Sequence, residues 1–192
     1  MKFVLRNANV NDIDNLARAY VKCWHETYSD ILHAKDLAEI TFESALKKWR
    51  GDFVDQINDA DRAIFVIENE DNEIIGFASC GATNSRAQKI LGQGEIYELY
   101  LRRDHQGYGL GKALMLAVSR WLISRGLFTG GTWVAEDNVQ GCNFCEDLGA
   151  TPAGRREDTL NNGTLISIAY VWNDFSDVAQ LEGAVPNWEA RK

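Results

Sequence analysis

Three glycines at alternate positions, Gly107, Gly109 and Gly111, separate a run patterned as a strand, Glu95 to Leu101, from a helical pattern, Lys112 to Ile123. Lacking Cβ atoms, glycines let the chain turn tightly and gather its N–H groups at a helix N-terminus, which carries about half a positive charge. Such a junction can hold a pyrophosphate. Position excludes two other phosphate loops. A dinucleotide-binding fold places its glycines after the first strand, and a P-loop ends in Gly-Lys-Ser/Thr. Here the glycines lie mid-chain, and Gly111-Lys112 is followed by Ala113.

The elements that must position this junction are readable on both sides. Phe3 to Arg6 reads as a strand, and Asn11, with Asp14 at the N3 position, is expected to cap an amphipathic helix through Ile13, Leu16, Ala17, Tyr20 and Trp24. A second helix is expected from Ala34 to Trp49, stopped by Gly51. The runs Ala63–Ile67 and Ile74–Ala78, parted by polar residues, predict an antiparallel hairpin. Beyond the glycine junction come a strand near Thr132-Trp133-Val134, a helix from Val139 to Leu148 ended by Gly149, and a closing hairpin. Its turn, Asn161-Asn162-Gly163, is expected to supply positive φ angles. The result is one mixed α/β (α+β) domain over residues 1–173, with a C-terminal tail, 174–192, that wraps the surface or frays.

The run Gln106-x-x-Gly109-x-Gly111, preceded by Leu99-Tyr100-Leu101, resembles the Gln/Arg-x-x-Gly-x-Gly/Ala signature of the GCN5-related N-acetyltransferase (GNAT) superfamily. The order of elements from Lys2 to Trp172 is also similar. The resemblance implies a central mixed, mostly antiparallel sheet, splayed between its fourth and fifth strands and flanked by helices. It implies acetyl-CoA as cosubstrate. The pyrophosphate would lie on Gln106, Gly107, Tyr108, Gly109, Leu110, Gly111 and Lys112, and the pantetheine arm along Leu99 to Leu101. The Leu101 N–H would polarise the thioester oxygen, and Asn138 would contact the coenzyme.

An alkylamine of pKa about 10 is protonated at neutral pH, so direct attack requires a proton acceptor. By the same resemblance, Glu95 occupies the position where the histone-acetylating members keep their general-base glutamate, at the start of the signature strand. Strand alternation would place it on one face with Tyr97, Leu99 and Leu101, leaving Glu98, the second candidate, on the other. A family tyrosine that protonates the departing thiolate is replaced here by Cys145, within Phe144-Cys145-Glu146-Asp147-Leu148-Gly149. The thiol either donates the proton or packs as a small hydrophobe, with Tyr100 or water as donor. Trp24, Glu26 and Tyr28 resemble a Trp-x-x-Thr-Tyr segment lining the acceptor pocket in one branch of the family, where Tyr97 would join them. Trp24 and Tyr28 are equally a core stripe at helical spacing.

Composition bounds the partners. Lys+Arg 20 against Asp+Glu 28 gives a net charge of −8, which disfavours nucleic acid and anionic membranes and favours a cationic or amine-bearing partner. The N-terminus lacks a signal-peptide core and no run is long enough to span a membrane, so a cytoplasmic location is expected. Cys23, Cys80, Cys142 and Cys145 read as reduced thiols, and Cys142-x-x-Cys145 lacks the further ligands a metal site needs. The expectation is therefore an acetyl-CoA-dependent N-acetyltransferase for a primary amine of a small molecule, without metal, with a homodimer left open. The alternatives are acetylation of a protein N-terminus or lysine, or a non-catalytic acetyl-CoA sensor.

Overall fold

The computed structural model describes residues 2–58, 62–84, 87–181 and 188–190, with backbone alone for 54–58 and 188–190. The strands are β1 (Phe3–Asn7), β2 (Arg62–Glu68), β3 (Ile74–Ala82), β4 (Gly94–Leu101), β5 (Gly130–Ala135), β6 (Thr151–Thr159), β7 (Thr164–Trp172) and β8 (Trp188–Ala190). The helices are α1 (Ile13–Tyr28), α2 (Ala34–Leu37), α3 (Phe42–Asn58), α4 (Gln88–Leu91), α5 (Leu110–Ser124), α6 (Val139–Asp147) and α7 (Phe175–Ala179). All strands join one sheet in the order β6-β7-β5-β4-β3-β2-β1-β8. Pairing is antiparallel except β4 with β5 and β1 with β8.

Every residue from Ala63 to Ile67 and from Ile74 to Ser79 in β2 and β3 is buried, as required of central strands covered on both faces. One core holds Ile67, Ile75 and Ile96 against Leu110, Leu114, Val118 and Leu122 of α5 and Cys145 of α6. The other packs Leu16, Tyr20 and Cys23 of α1 and Ala45, Trp49 and Phe53 of α3 against Ile64, Val66 and Phe77.

Four local expectations are corrected. Asn9, not Asn11, starts the first helical region: its side chain accepts from the Asn11 N–H at 3.0 Å, while Asp12 Oδ2 accepts from the Asn9 N–H at 2.7 Å. This box caps a 3-10 turn, Val10–Asp12, ahead of α1. The Ala34–Trp49 helix is two helices, because Thr41 and Ser44 cap each other reciprocally, 2.9 and 3.2 Å, and begin α3 afresh. Gly51 does not stop α3, since Phe53 continues the buried stripe of Ala45 and Trp49. In the β6–β7 connection neither Asn162 nor Gly163 has positive φ. Thr159 pairs with Thr164, leaving a four-residue loop, a length commonly built without mirror-image turns.

A fifth correction concerns the chain after residue 173. Phe175 and Val178 of α7 are fully buried against the α5 core. Asp174 caps the helix through the Ser176 N–H at 2.8 Å. The β8 backbone then pairs parallel with β1. Apolar residues three positions apart lie on one face of the helix and bury together, so this segment belongs to the fold. Pro186 and the rest of 182–187 lie outside the described residues. Phe175→Ala is expected to cost about 3–5 kcal/mol of stability, read from the urea midpoint at unchanged m-value.

Candidate active site

The site begins where β4 and β5 separate. They pair only at Gly94↔Gly130 and Glu95↔Gly131. Glycine is required at this closed end, because a Cβ on Gly130 would sit 2.3 Å from Gly94 O and one on Gly131 2.4 Å from Tyr170 O. One step further, Thr132 Oγ1 donates to Ile96 O at 2.9 Å, so a side chain replaces the main-chain rung and spaces the strands apart. Beyond Thr132 the strands have no further pairing.

The other edge of β4 fixes which groups face the gap. Arg102 N–H donates to Ile75 O at 2.9 Å, so Arg102 and Tyr100 form the hydrogen-bonded rungs with β3. Leu99 and Leu101 fall on the alternate rungs and turn their main-chain groups toward the gap. The Leu101 carbonyl accepts from Gln106 Nε2 at 3.1 Å, which leaves the two amides and the Leu99 carbonyl for a ligand.

The groove alongside has a volume of about 370 Å³ and contains Leu99, Leu101, Gln106, Gly107, Gly109, Gly111, Lys112 and Asn138 in its lining. Gly107 and Gly109 have φ of 81° and 78°, left-handed values that suit glycine, and Gly109 is the N-cap of α5. Among the described residues, no hydrogen bond is recorded from the amides of Gly107 to Leu110 to a protein acceptor, so this helix mouth can hold an anion. Gln140 Nε2 donates to Gln106 Oε1 at 2.7 Å and fixes that side chain. Asn138 caps α6 through the Gly141 N–H at 3.0 Å. The Leu110 side chain is buried in the core, and Tyr108 is exposed.

A bulge in β4 overturns the expected alternation. Ser79 pairs with Glu98 and Cys80 with Ile96, so Tyr97 is the extra residue of the bulge. The phase shifts by one residue there. Ile96, Leu99 and Leu101 consequently pack on the α5 core, while Tyr100 joins the α1 side. Glu98 is on that second side as well, 3.2 Å from Lys48 Nζ of α3 and 3.3 Å from Ser79 Oγ. Glu95 precedes Ile96 and faces the same side, so Glu95 and Glu98 share a face and Leu99 and Leu101 do not join them.

The two carboxyls differ in environment. Burial raises the Glu95 pKa, opposed by the Arg156 charge, and Oε2 is inaccessible with no hydrogen-bond partner. Burial raises the Glu98 pKa too, opposed by Lys48, which also binds Asp52 at 2.5 Å. The gap itself encloses a cavity of about 90 Å³, bordered by Tyr28, Tyr97, Glu98, Tyr100, Trp133 and Cys145 among others. The Tyr28 and Tyr100 hydroxyls are 3.1 Å apart. Burial raises both phenol pKa values, and it pushes the Cys145 thiol up to about 12.

Three acceptor-side candidates are placed differently from one another. Trp24 stacks with Tyr28 at 4.6 Å between centroids and packs against both Tyr20 and Tyr100. Glu26 lies on the coenzyme groove, its carboxylate accepting from the Arg103 N–H at 2.7 Å, which removes it from the acceptor side. The Tyr97 hydroxyl donates to Ala82 O at 2.8 Å. Thr132, Gln140 and Phe144 contribute to the site without a sequence signal. Gly141 had one available: a Cβ there would meet the Asn138 side chain at 2.6 Å, so a glycine three positions past a capping Asn marks the tight turn.

An anion cradle beside an unpaired strand edge defines an acyltransferase that binds a nucleotide-bearing thioester in extended form. The model of the acetyltransferase (GNAT) family matches residues 16–150. The chain belongs to that family and is an acetyltransferase with acetyl-CoA as cosubstrate. It is 28% identical over 134 residues to the uncharacterized N-acetyltransferase YuaI of Bacillus subtilis, covering 70% of this chain and 72% of that one. A mycothiol acetyltransferase of Streptomyces coelicolor is 40% identical over 89 residues, 46% of this chain but only 27% of the relative. The PaiA N-acetyltransferase of Thermoplasma acidophilum, solved with coenzyme A, has a TM-score of 0.66 at 18% identity, covering 88% of this chain and 98% of that one. The YncA acetyltransferase of Salmonella typhimurium, solved with acetyl-CoA, has a TM-score of 0.65 at 16% identity, covering 96% and 97%. These likenesses support the same fold.

Gly109→Ala places an L-residue at φ 78°, which costs about 1–2 kcal/mol if the cradle keeps its shape. Coenzyme A affinity is expected to fall by about tenfold in calorimetry, with the far-UV spectrum unchanged.

Proposed function

We propose that the chain transfers an acetyl group to the primary amine of a small molecule by direct attack in a ternary complex. The observation that carries this reading is the two-sided gap between β4 and β5. Its α5 wall is apolar and continuous with the coenzyme groove. Its α1 wall carries Glu98, Tyr28 and Tyr100 and continues, through Tyr97 and Glu98, into a side cavity of about 330 Å³. That volume is of small-molecule size. Two bonds supporting a closed roof tie the β6–β7 loop to the α2 region: Asn162 Nδ2 to Asp36 at 2.8 Å and Asn161 Nδ2 to Glu39 at 3.3 Å. A protein terminus or lysine would need an open groove here.

Acetyl-CoA supplies the activated acyl carbonyl. The amides of Gly107 to Lys112 would hold its pyrophosphate, and Leu99 and Leu101 would align the pantetheine arm and orient the carbonyl. Glu95 accepts the amine proton through water, because its Oε2 has no hydrogen-bond partner among the described residues whereas Glu98 is engaged by Lys48 and Ser79. The Tyr100 hydroxyl, linked to Tyr28, is the proton source for the thiolate. Cys145, four per cent exposed and packed within the α5-side core, serves as a small hydrophobe instead.

Coenzyme A release measured across panels of small amines and peptides tests the substrate class, and turnover of peptides alone would overturn it. A base with a raised pKa loses activity as pH falls through that value, since protonation removes the acceptor. Glu95→Gln is expected to lower kcat/KM about 10²-fold and to flatten this acidic limb. An unchanged pH profile would exclude Glu95.

A further inference from the structure

The gap cavity is larger than an acetyl group requires, and its wall on the α5 side is apolar. Ile96, Leu99, Met115, Phe144, Cys145 and Trp172 form this part of its lining. It shares Leu99, Tyr100, Asn138, Gly141 and Phe144 with the coenzyme groove, so the two volumes meet where the Leu99 and Leu101 amides point. With the thioester carbonyl at those amides, the carbon chain has one direction to run, inward between α5 and α6. A cavity of about 150 Å³ accepts benzene, so 90 Å³ accommodates about three or four carbon atoms. An acetyl methyl would leave much of this space empty, and an empty apolar cavity is unfavourable. Cys145 is the smallest side chain among these six, standing where the family pattern carries a phenol ring, and its buried thiol has no role as an acid in the proposed reaction.

We infer that this cavity is an acyl-chain pocket, that the enzyme takes propionyl- and butyryl-CoA as donors alongside acetyl-CoA, and that Cys145 sets the chain length. The inference rests on the proposed coenzyme placement. Atoms balance as for acetyl transfer: the acyl C–S bond breaks, a C–N bond forms, the amine loses one proton and the departing thiolate gains one. The amine still approaches from the polar α1 wall, so chain length and acceptor choice are governed by opposite sides of the gap.

Calorimetric titration of the whole chain with coenzyme A and its acetyl, propionyl, butyryl and hexanoyl thioesters tests this without knowledge of the acceptor. Burial of each added methylene predicts affinity rising about fourfold per carbon from acetyl to butyryl, then falling at hexanoyl. Cys145→Met should weaken butyryl-CoA at least tenfold relative to acetyl-CoA. The wild-type series stands alone if that variant fails to fold. Butyryl-CoA binding weaker than acetyl-CoA, or equal affinities for all thioesters and free coenzyme A, would overturn the acyl pocket while leaving the coenzyme site intact. Absence of binding by every one of these compounds would instead overturn the coenzyme placement itself.

Discussion

The site depends on a missing main-chain rung. A parallel pair normally shares evenly spaced hydrogen bonds along its length, and leaving polar backbone unpaired inside a protein is costly. Here the parallel contact ends after two residue pairs. Thr132 then occupies the Ile96 carbonyl and Gln106 the Leu101 carbonyl, so part of that cost is offset by side chains. What stays uncompensated is a short strand edge, with donors and an acceptor at the spacing of an extended chain. An amide-bearing arm such as pantetheine would match that spacing, which is the basis of the placement proposed for it.

The bulge at Tyr97 is the second constraint, because it decides what meets at the gap. With regular alternation Glu98 and Tyr100 would face α1 while Glu95 faced α5, separating the candidate base from the acceptor side. The added residue brings Glu95 and Glu98 onto one face and leaves Leu99 and Leu101 on the apolar one. Two chemically unlike walls therefore come from one strand. The unlike environments of the two carboxyls follow from what surrounds each: Lys48 reaches Glu98 from α3 and binds it directly, while Glu95 sits at the closed end, where only the Arg156 charge opposes its burial.

Much of this arrangement could be read from residues close in sequence. The glycine junction, the strand before it and the helix after it are local, and a local pattern such as Gln106-x-x-Gly109-x-Gly111 specifies its own geometry. The β2–β3 hairpin was legible for the same reason. The failures were long-range or compensatory. No property of Tyr97 announces a bulge, which arises from register with β3. The bond from Thr132 to Ile96 spans 36 positions. The turn Asn161-Asn162-Gly163 departs from the Asn-Gly expectation because Asn161 and Asn162 are engaged by Glu39 and Asp36, and a four-residue loop relieves the turn of any need for positive φ.

The segment after residue 173 shows how such a long-range effect reaches the site. Phe175 stacks on Trp172 at 5.9 Å between centroids, and its ring lies where a Cβ on Gly130 would be, 2.7 Å away. Gly130 belongs to the first of the two β4–β5 pairs, one residue before the strands diverge. The ring thus backs the closed end of the gap from the α5 side, and Trp172 forms the floor of the cavity that the gap encloses. A weakened α7 would loosen the point from which the two strands diverge. Because the open edge of Leu99 and Leu101 depends on that divergence, the C-terminal segment would act, in the proposed placement, on thioester alignment through packing alone, at a distance from the coenzyme cradle.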